Sequence, residues 1–198
     1  MNATRNARKA TIILGALLSA GIVLAQLEIP MPAIEHLAKL TKDAGVPLML
    51  DPAPAVALPA PLLRSVDWLT PNETETRILL NDPQAALDRD GVIRAAESLL
   101  ALGTRNVVIK LGERGAFIAE GNGNRIFVPA YRVSPIDSTA AGDAFNGAFA
   151  VGLVSGKSPE QSARYAAAVA AISVTRQGAQ PSLPSAGEVD RFLMNPPS

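Results

Sequence analysis

In the stretch Asp137-Ser138-Thr139-Ala140-Ala141-Gly142-Asp143-Ala144-Phe145-Asn146-Gly147, small residues lead up to a carboxylate, Asp143, at what reads as a helix start. The Ala140-Ala141-Gly142 step is flexible enough for backbone N–H groups to face an anion. The apolar run from Ala144 to Leu153 predicts a buried helix. Asp143 then falls in the first turn, where the helix dipole favours the charged form of a carboxylate. From there it can accept a hydroxyl proton while the amides stabilise charge on a phosphoryl group, so the stretch suits phosphoryl transfer. A capped core helix uses the same residue types, and the motif alone leaves both readings open.

Three further stretches have residue types that could do chemistry. Asn72-Glu73-Thr74-Glu75 places two carboxylates and an amide at a strand-to-helix junction. That suits Mg²⁺ and its waters, because magnesium takes few protein oxygens and keeps its hydration; a helix cap is the plainer alternative. Lys110-Leu111-Gly112-Glu113-Arg114-Gly115 combines two glycines with two basic side chains after a strand. It allows close backbone approach to a nucleotide and partial neutralisation of its phosphates, although it is neither a Walker A loop nor a dinucleotide fingerprint. A tight turn would look the same. Arg176-Gln177-Gly178-Ala179-Gln180-Pro181-Ser182 offers carbonyls and hydroxyls that could encircle a hard cation, or simply a helix C-terminus closed by glycine.

The elements that must position these residues alternate between strand and helix. Ile22-Val23-Leu24 reads as a strand, Met31 to Ala44 has helical spacing, and Val46 to Leu50 is a short apolar run ending at Asp51. Asp51-Pro52-Ala53-Pro54-Ala55 must be a loop after a strand's carboxyl end, the place where open α/β sheets bind ligands. Leu58 to Arg64 predicts a short helix, Val66 to Leu69 a strand, Glu75 to Leu80 a helix, and Val92 to Leu102 an amphipathic helix. Asp82 to Asp90 reads as a polar surface connection. Asn106 to Leu111 predicts a strand, and Ala116 to Ala119 with Arg125 to Pro129 a hairpin across Gly121 to Asn124. Two alanine-rich helices, Ala141 to Ser155 and Pro159 to Thr175, should pack closely, and a last helix covers Ser185 to Met194. No repeat or linker divides the chain.

Composition narrows the field. With 198 residues, 48% hydrophobic and 18% charged, the chain can bury one substantial core. Eighteen basic residues balance eighteen acidic ones, so no electrostatic footprint for nucleic acid or an anionic membrane is present. The absence of cysteine excludes disulfides and thiolate catalysis and fits a cytoplasmic enzyme. The single histidine, His36, lies among polar residues of a surface helix, which argues against histidine triads and metal clusters. Arg5, Arg8 and Lys9 before the apolar run Thr11 to Leu27 imitate a signal peptide, but Glu28 closes the run and it is short for a membrane span, so a soluble chain is expected.

In order and wording, the motifs resemble the ribokinase-like (PfkB-type) carbohydrate kinases from about residue 12 onward. The matching stretches are Gln26-Leu27-Glu28, Asp51 to Ala55, Leu69 to Glu75, Leu111 to Gly115, the Asp137 to Gly147 stretch and Val174 to Ser182. The resemblance implies a three-layer α/β/α fold with a mainly parallel sheet, residues 12–198 forming part of the kinase domain and residues 1–11 left unassigned. It also implies transfer of the γ-phosphoryl group of ATP to the 5-hydroxyl of D-ribose. Asp143 would be the general base, with Ala140, Ala141 and Gly142 as the anion hole. Asn72, Lys110, Leu111, Gly112, Glu113, Arg114 and Gly115, with Gly142 and Asp143, would meet the nucleotide. Glu28 and Asp143 would touch the sugar, and Glu75 would organise the waters of Mg²⁺. Asp137, Thr139, Ser173, Arg176, Gly178 and Ser182 match positions around a monovalent cation, usually K⁺. A homodimer is typical of the family.

The sequence departs from the family pattern twice. Ala167 stands where the family commonly places Asn or His near the adenine. The family's N-terminal strands, lid and glycine-rich sugar loop have no counterpart here. An exposed sheet edge is therefore expected, along with ATP and metal contacts that outlast kinase activity. A non-catalytic nucleotide-binding remnant, or a kinase for another sugar or a nucleoside, remains the alternative.

Overall fold

Along each central strand, successive side chains turn to opposite faces of one sheet, and both faces are buried. The computed structural model describes residue 15 and residues 17–197. Arg5, Arg8, Lys9 and the start of the apolar run lie outside the described residues. The sheet runs β1 (Val23–Gln26), β2 (Leu48–Asp51), β3 (Trp68–Leu69), β4 (Asn106–Lys110), β5 (Ala116–Glu120) and β6 (Arg125–Val128), each beside the next. The pairs from β1 to β4 are parallel, and β4–β5 and β5–β6 are antiparallel.

Strand order follows chain order, so each crossover moves the same way and right-handed connections deliver their helices to one face. On that face α1 (Met31–Ala44), α2 (Ala60–Leu63) and α4 (Arg89–Ala101) cover Leu48, Leu50, Leu69, Val107 and Ile109. The short α3 (Glu73–Leu79) packs Leu79 against the same core. The opposite face, with Met49, Trp68, Val108 and Ile118, is covered by α5 (Ala141–Val154), α6 (Pro159–Val174) and α7 (Ala186–Met194). This is the three-layer α/β/α fold with a mainly parallel sheet.

Local chemistry sets the ends of the helices. Helix α1 starts just after Pro30 with Pro32 in its first turn, and stops at Gly45, whose φ of 67° suits glycine. In α6, Ser158 and Gln161 form a capping box. The two alanine-rich helices do lie close together, since a Cβ on Gly152 would sit 2.7 Å from Ser162 Oγ.

Some boundaries differ from those the sequence predicts. The strand expected over Val66–Leu69 is reduced to Trp68–Leu69. The Val66 carbonyl turns to the Arg105 N–H, and the Asp67 carboxylate accepts the Leu48 N–H at 2.9 Å. Helix α3 begins at Glu73, two residues early, because Asn72 caps it; α4 begins at Arg89 because Asp88 accepts the Gly91 N–H at 2.8 Å. Leu87, within the segment read as a surface connection, is buried.

Among the described residues β1 pairs only with β2, which leaves an open edge. Leu24 on that strand is 45% exposed, and Val151 and Val154 of α5 are 59% and 55% exposed. No helix among the described residues is long and apolar enough to cross a membrane.

Candidate active site

Parallel strands bring their carboxyl ends to one side of the sheet, and the chemistry-bearing residues collect there. Gln26 ends β1, Asp51 ends β2 and Lys110 ends β4, and Asn72, just past β3, bridges to Lys110. Helix α5 starts above them. Gln26 Nε2 donates to Asp143 Oδ1 at 2.5 Å. Lys110 Nζ donates to both Asp51 oxygens, at 3.1 and 3.0 Å, and Asn146 Nδ2 donates to Asp51 Oδ2 at 2.6 Å. Burial pushes the Asp51 carboxyl above the usual carboxylate range, and the Lys110 ammonium opposes that rise.

The first turn of α5 is shaped by its backbone. Ala140, the residue before the helix, sits at φ 61°, a left-handed conformation that costs a non-glycine residue roughly 1–2 kcal/mol. The Ala141 N–H bonds to the Ser138 carbonyl and the Ala144 N–H to the Ala140 carbonyl, which starts the ladder. The amides of Gly142 and Asp143 lie in the first turn, where helix geometry supplies no acceptor.

Two hollows meet at this turn. The larger, ≈ 790 Å³, runs from Asn72, Lys110 and the Gly112–Gly115 turn to Gly142, Phe145 and Ala167. The smaller, ≈ 270 Å³, is lined by Gln26, Met49, Asp51, Asp143 and Asn146, with Leu24 and Ala25 at the open edge. Gly142 therefore faces one hollow and Asp143 the other.

The Gly112–Gly115 turn is fixed by its own backbone. Gly115 has φ 94°, and a Cβ there would lie 2.0 Å from the Val128 carbonyl oxygen. Arg114 is anchored as well, donating to the Leu87 carbonyl and to Glu73, both at 2.7 Å. Each of the two basic side chains of this stretch therefore already has a protein carboxylate as partner. Leu111 is turned into the core and lines neither hollow.

Asn72 and Glu75 hold each other in a capping box. The Asn72 N–H and Nδ2 donate to the two Glu75 oxygens at 2.7 Å, and Asn72 Oδ1 accepts the Glu75 N–H at 2.9 Å. Burial raises the Glu75 carboxyl, and the Asn72 backbone bond opposes it. Both oxygens being engaged, Glu75 suits influence on a metal's waters better than direct ligation. The described residues contain no cluster of three or more metal-ligating His, Cys, Asp or Glu side chains. Glu28 is exposed beyond β1 and lines neither hollow.

The residues matched to a cation loop do come together. Asp137 accepts the N–H groups of Thr139 and Gly178, each at 2.8 Å; the Thr139 side chain first, then the Gly178 and Thr139 N–H groups, hold its carboxyl below the usual range. The Ile136 and Asp137 N–H groups reach the Val174 carbonyl, and the Ser173 and Ser182 hydroxyls lie 2.8 Å apart. Arg176 pairs with Glu188 at 2.5 Å, which locks the loop to α7.

Sequence reasoning gave no individual role to Gln26, Asp51 or Asn146, although it placed Asp51 in a strand-end loop of the kind that binds ligands. The first two end strands, where ligands bind, and Asn146 follows Asp143 by three residues on one helix face; both are readable signals.

Residues 12–186 match the pfkB family carbohydrate kinases. The chain belongs to the pfkB family. It is 42% identical to a ribokinase of Haemophilus influenzae over 171 residues, which cover 86% of this chain and 55% of that protein. A ribokinase of Schizosaccharomyces pombe is 39% identical over 170 residues, covering 85% and 54%. Among solved structures, Arabidopsis thaliana ribokinase complexed with ribose and ATP superposes with a TM-score of 0.86 at 37% identity, covering 92% of this chain and 58% of that one. This pfkB-family chain thus spans about half the length of the curated relatives it matches.

Proposed function

We propose that this chain carries the phosphoryl-transfer machinery of an ATP-dependent sugar kinase of ribokinase type. In this reading ATP occupies the larger hollow and the γ-phosphoryl group passes to the 5-hydroxyl of D-ribose beside Asp143. One observation carries the reading. At the first turn of α5, Gly142 lines the larger hollow and Asp143 lines the smaller, so an anion-facing amide and a proton acceptor stand side by side between two cavities. Similarity to ribokinases, one of them complexed with ribose and ATP, supports this choice of substrates.

Within this reading Asp143 takes the proton from the sugar hydroxyl, and Gln26 holds one of its oxygens so that the other faces the acceptor. Asn72 and the Gly112–Gly115 turn flank the phosphates of the nucleotide. Mg²⁺, its waters ordered from Glu75, would neutralise charge on those phosphates. The loop of Asp137, Thr139, Ser173, Gly178 and Ser182 would hold K⁺ through its carbonyls and steady the start of α5.

The smaller hollow reaches the open edge of β1, which favours a second reading in which this chain binds ATP but turns over little sugar. Phosphoryl transfer depends on a positioned acceptor and on excluding water, and a hollow that reaches an open strand edge excludes water poorly. Ribose-dependent ADP release by a coupled assay, run beside ATP binding and beside fructose and nucleosides as acceptors, separates the readings. We expect ATP binding with a ribose-dependent rate well below that of a full-length ribokinase. A rate equal to it would refute the incomplete acceptor side, and a preference for another acceptor would refute ribose.

A further inference from the structure

Asp51 and Asn146 have no part in the reaction just described, yet both are buried beside it. We propose that Asp51 is a positioning residue that holds the Lys110 ammonium beside Gly142, where it contacts the terminal phosphates of a nucleotide. The inference rests on reading the larger hollow as the nucleotide site.

Asp51 and Lys110 end strands β2 and β4, with β3 between them, so their backbones are roughly 10 Å apart. The lysine does not extend into solvent. It lies across the carboxyl end of the sheet with its side chain 13% exposed and Asp51 at 8%. Its Nζ lies 3.3 Å from the position a Cβ on Gly142 would take. Glycine at 142 permits that approach, which brings the ammonium next to the turn that faces the larger hollow.

Lys110 has three N–H donors, and Asp51 takes two of them with its two oxygens. Among the described residues no other acceptor is bonded to Nζ, so the third donor is available to a ligand oxygen. A lysine stem is flexible, and a carboxylate engaging it with both oxygens removes that freedom before any anion arrives. Asp51 is fixed in turn by Asn146, one turn along from Gly142 on α5, so the ammonium and the helix start are referenced to one carboxylate. Asn146 Oδ1 is buried without a partner, which leaves the amide held from the Asp51 side alone.

Equilibrium dialysis of ATP and of adenosine tests this on the full chain and its D51N, K110M and D51N/K110M variants. K110M and D51N should each weaken ATP about tenfold, the scale of one charged hydrogen bond, and leave adenosine unchanged. The double variant should be no weaker than K110M, because Asp51 acts through Lys110. Additive losses, tighter ATP binding by D51N, or equal losses for ATP and adenosine would each overturn the proposal. D51E keeps the charge but displaces it by one methylene, so it should match D51N; ATP affinity at the starting level in D51E would also overturn it. The double variant leaves no unpaired buried charge, so it keeps the comparison readable where a single variant unfolds. If the unaltered chain binds ATP and K110M binds it equally, only the lysine's role fails. If the unaltered chain binds no ATP, the nucleotide reading itself fails.

Discussion

The two hollows at the start of α5 are built differently. The larger is walled by the Gly112–Gly115 turn between two paired strands, by the facing helices α5 and α6, and by the irregular segment 130–138 that follows β6. The smaller leans on β1, whose far side is unpaired among the described residues and whose Leu24 is exposed. A pocket lined by two packed helices draws on their rigidity, whereas one formed by an edge strand depends on what lies beyond that edge. Binding of the phosphoryl donor should thus be a property of these residues themselves, and acceptor use should not.

The largest break in that comparison is Asp143→Asn. It should reduce any ribose phosphorylation by about 10²–10⁴-fold, since an amide cannot take the hydroxyl proton, and leave ATP affinity nearly intact; turnover and dialysis on the same sample check this. On the donor side, Gly115→Ala should cost about 3 kcal/mol in chemical denaturation and weaken ATP, because the added Cβ would meet the Val128 carbonyl at 2.0 Å. Ala140→Gly should act in the opposite direction, raising stability by about 1 kcal/mol by relieving a left-handed alanine at φ 61°. The smallest effect is expected at the edge. Leu24→Lys should leave stability within about 0.5 kcal/mol and ATP affinity unchanged, while reducing self-association in sedimentation velocity.

The layers of the fold were legible because the central strands are short apolar runs with turn residues at their ends, and Met31 to Ala44 was readable to the residue. The start of β3 was not, because whether Asp67 belongs to a ladder depends on Leu48, nineteen residues away. In the site, Asp143 and the glycine turn could be located from local sequence. Lys110 could be placed at a strand end, but its partner could not, since only the strand order brings Asp51 within 3.1 Å of its ammonium. Glu28 belongs to a matching stretch, yet its exposed side chain faces neither hollow, because strand β1 ends two residues earlier at Gln26.

The contact between Gly152 and Ser162 also bears on movement. Helix α5, which carries Asp143, and helix α6, which lines the larger hollow, approach so closely that a single methyl group would collide. Helices packed at that distance cannot slide past each other without unlocking their side chains. Any closing motion around bound ligands must therefore leave this pair as a fixed anvil, and the travel has to come from the parts that swing toward it.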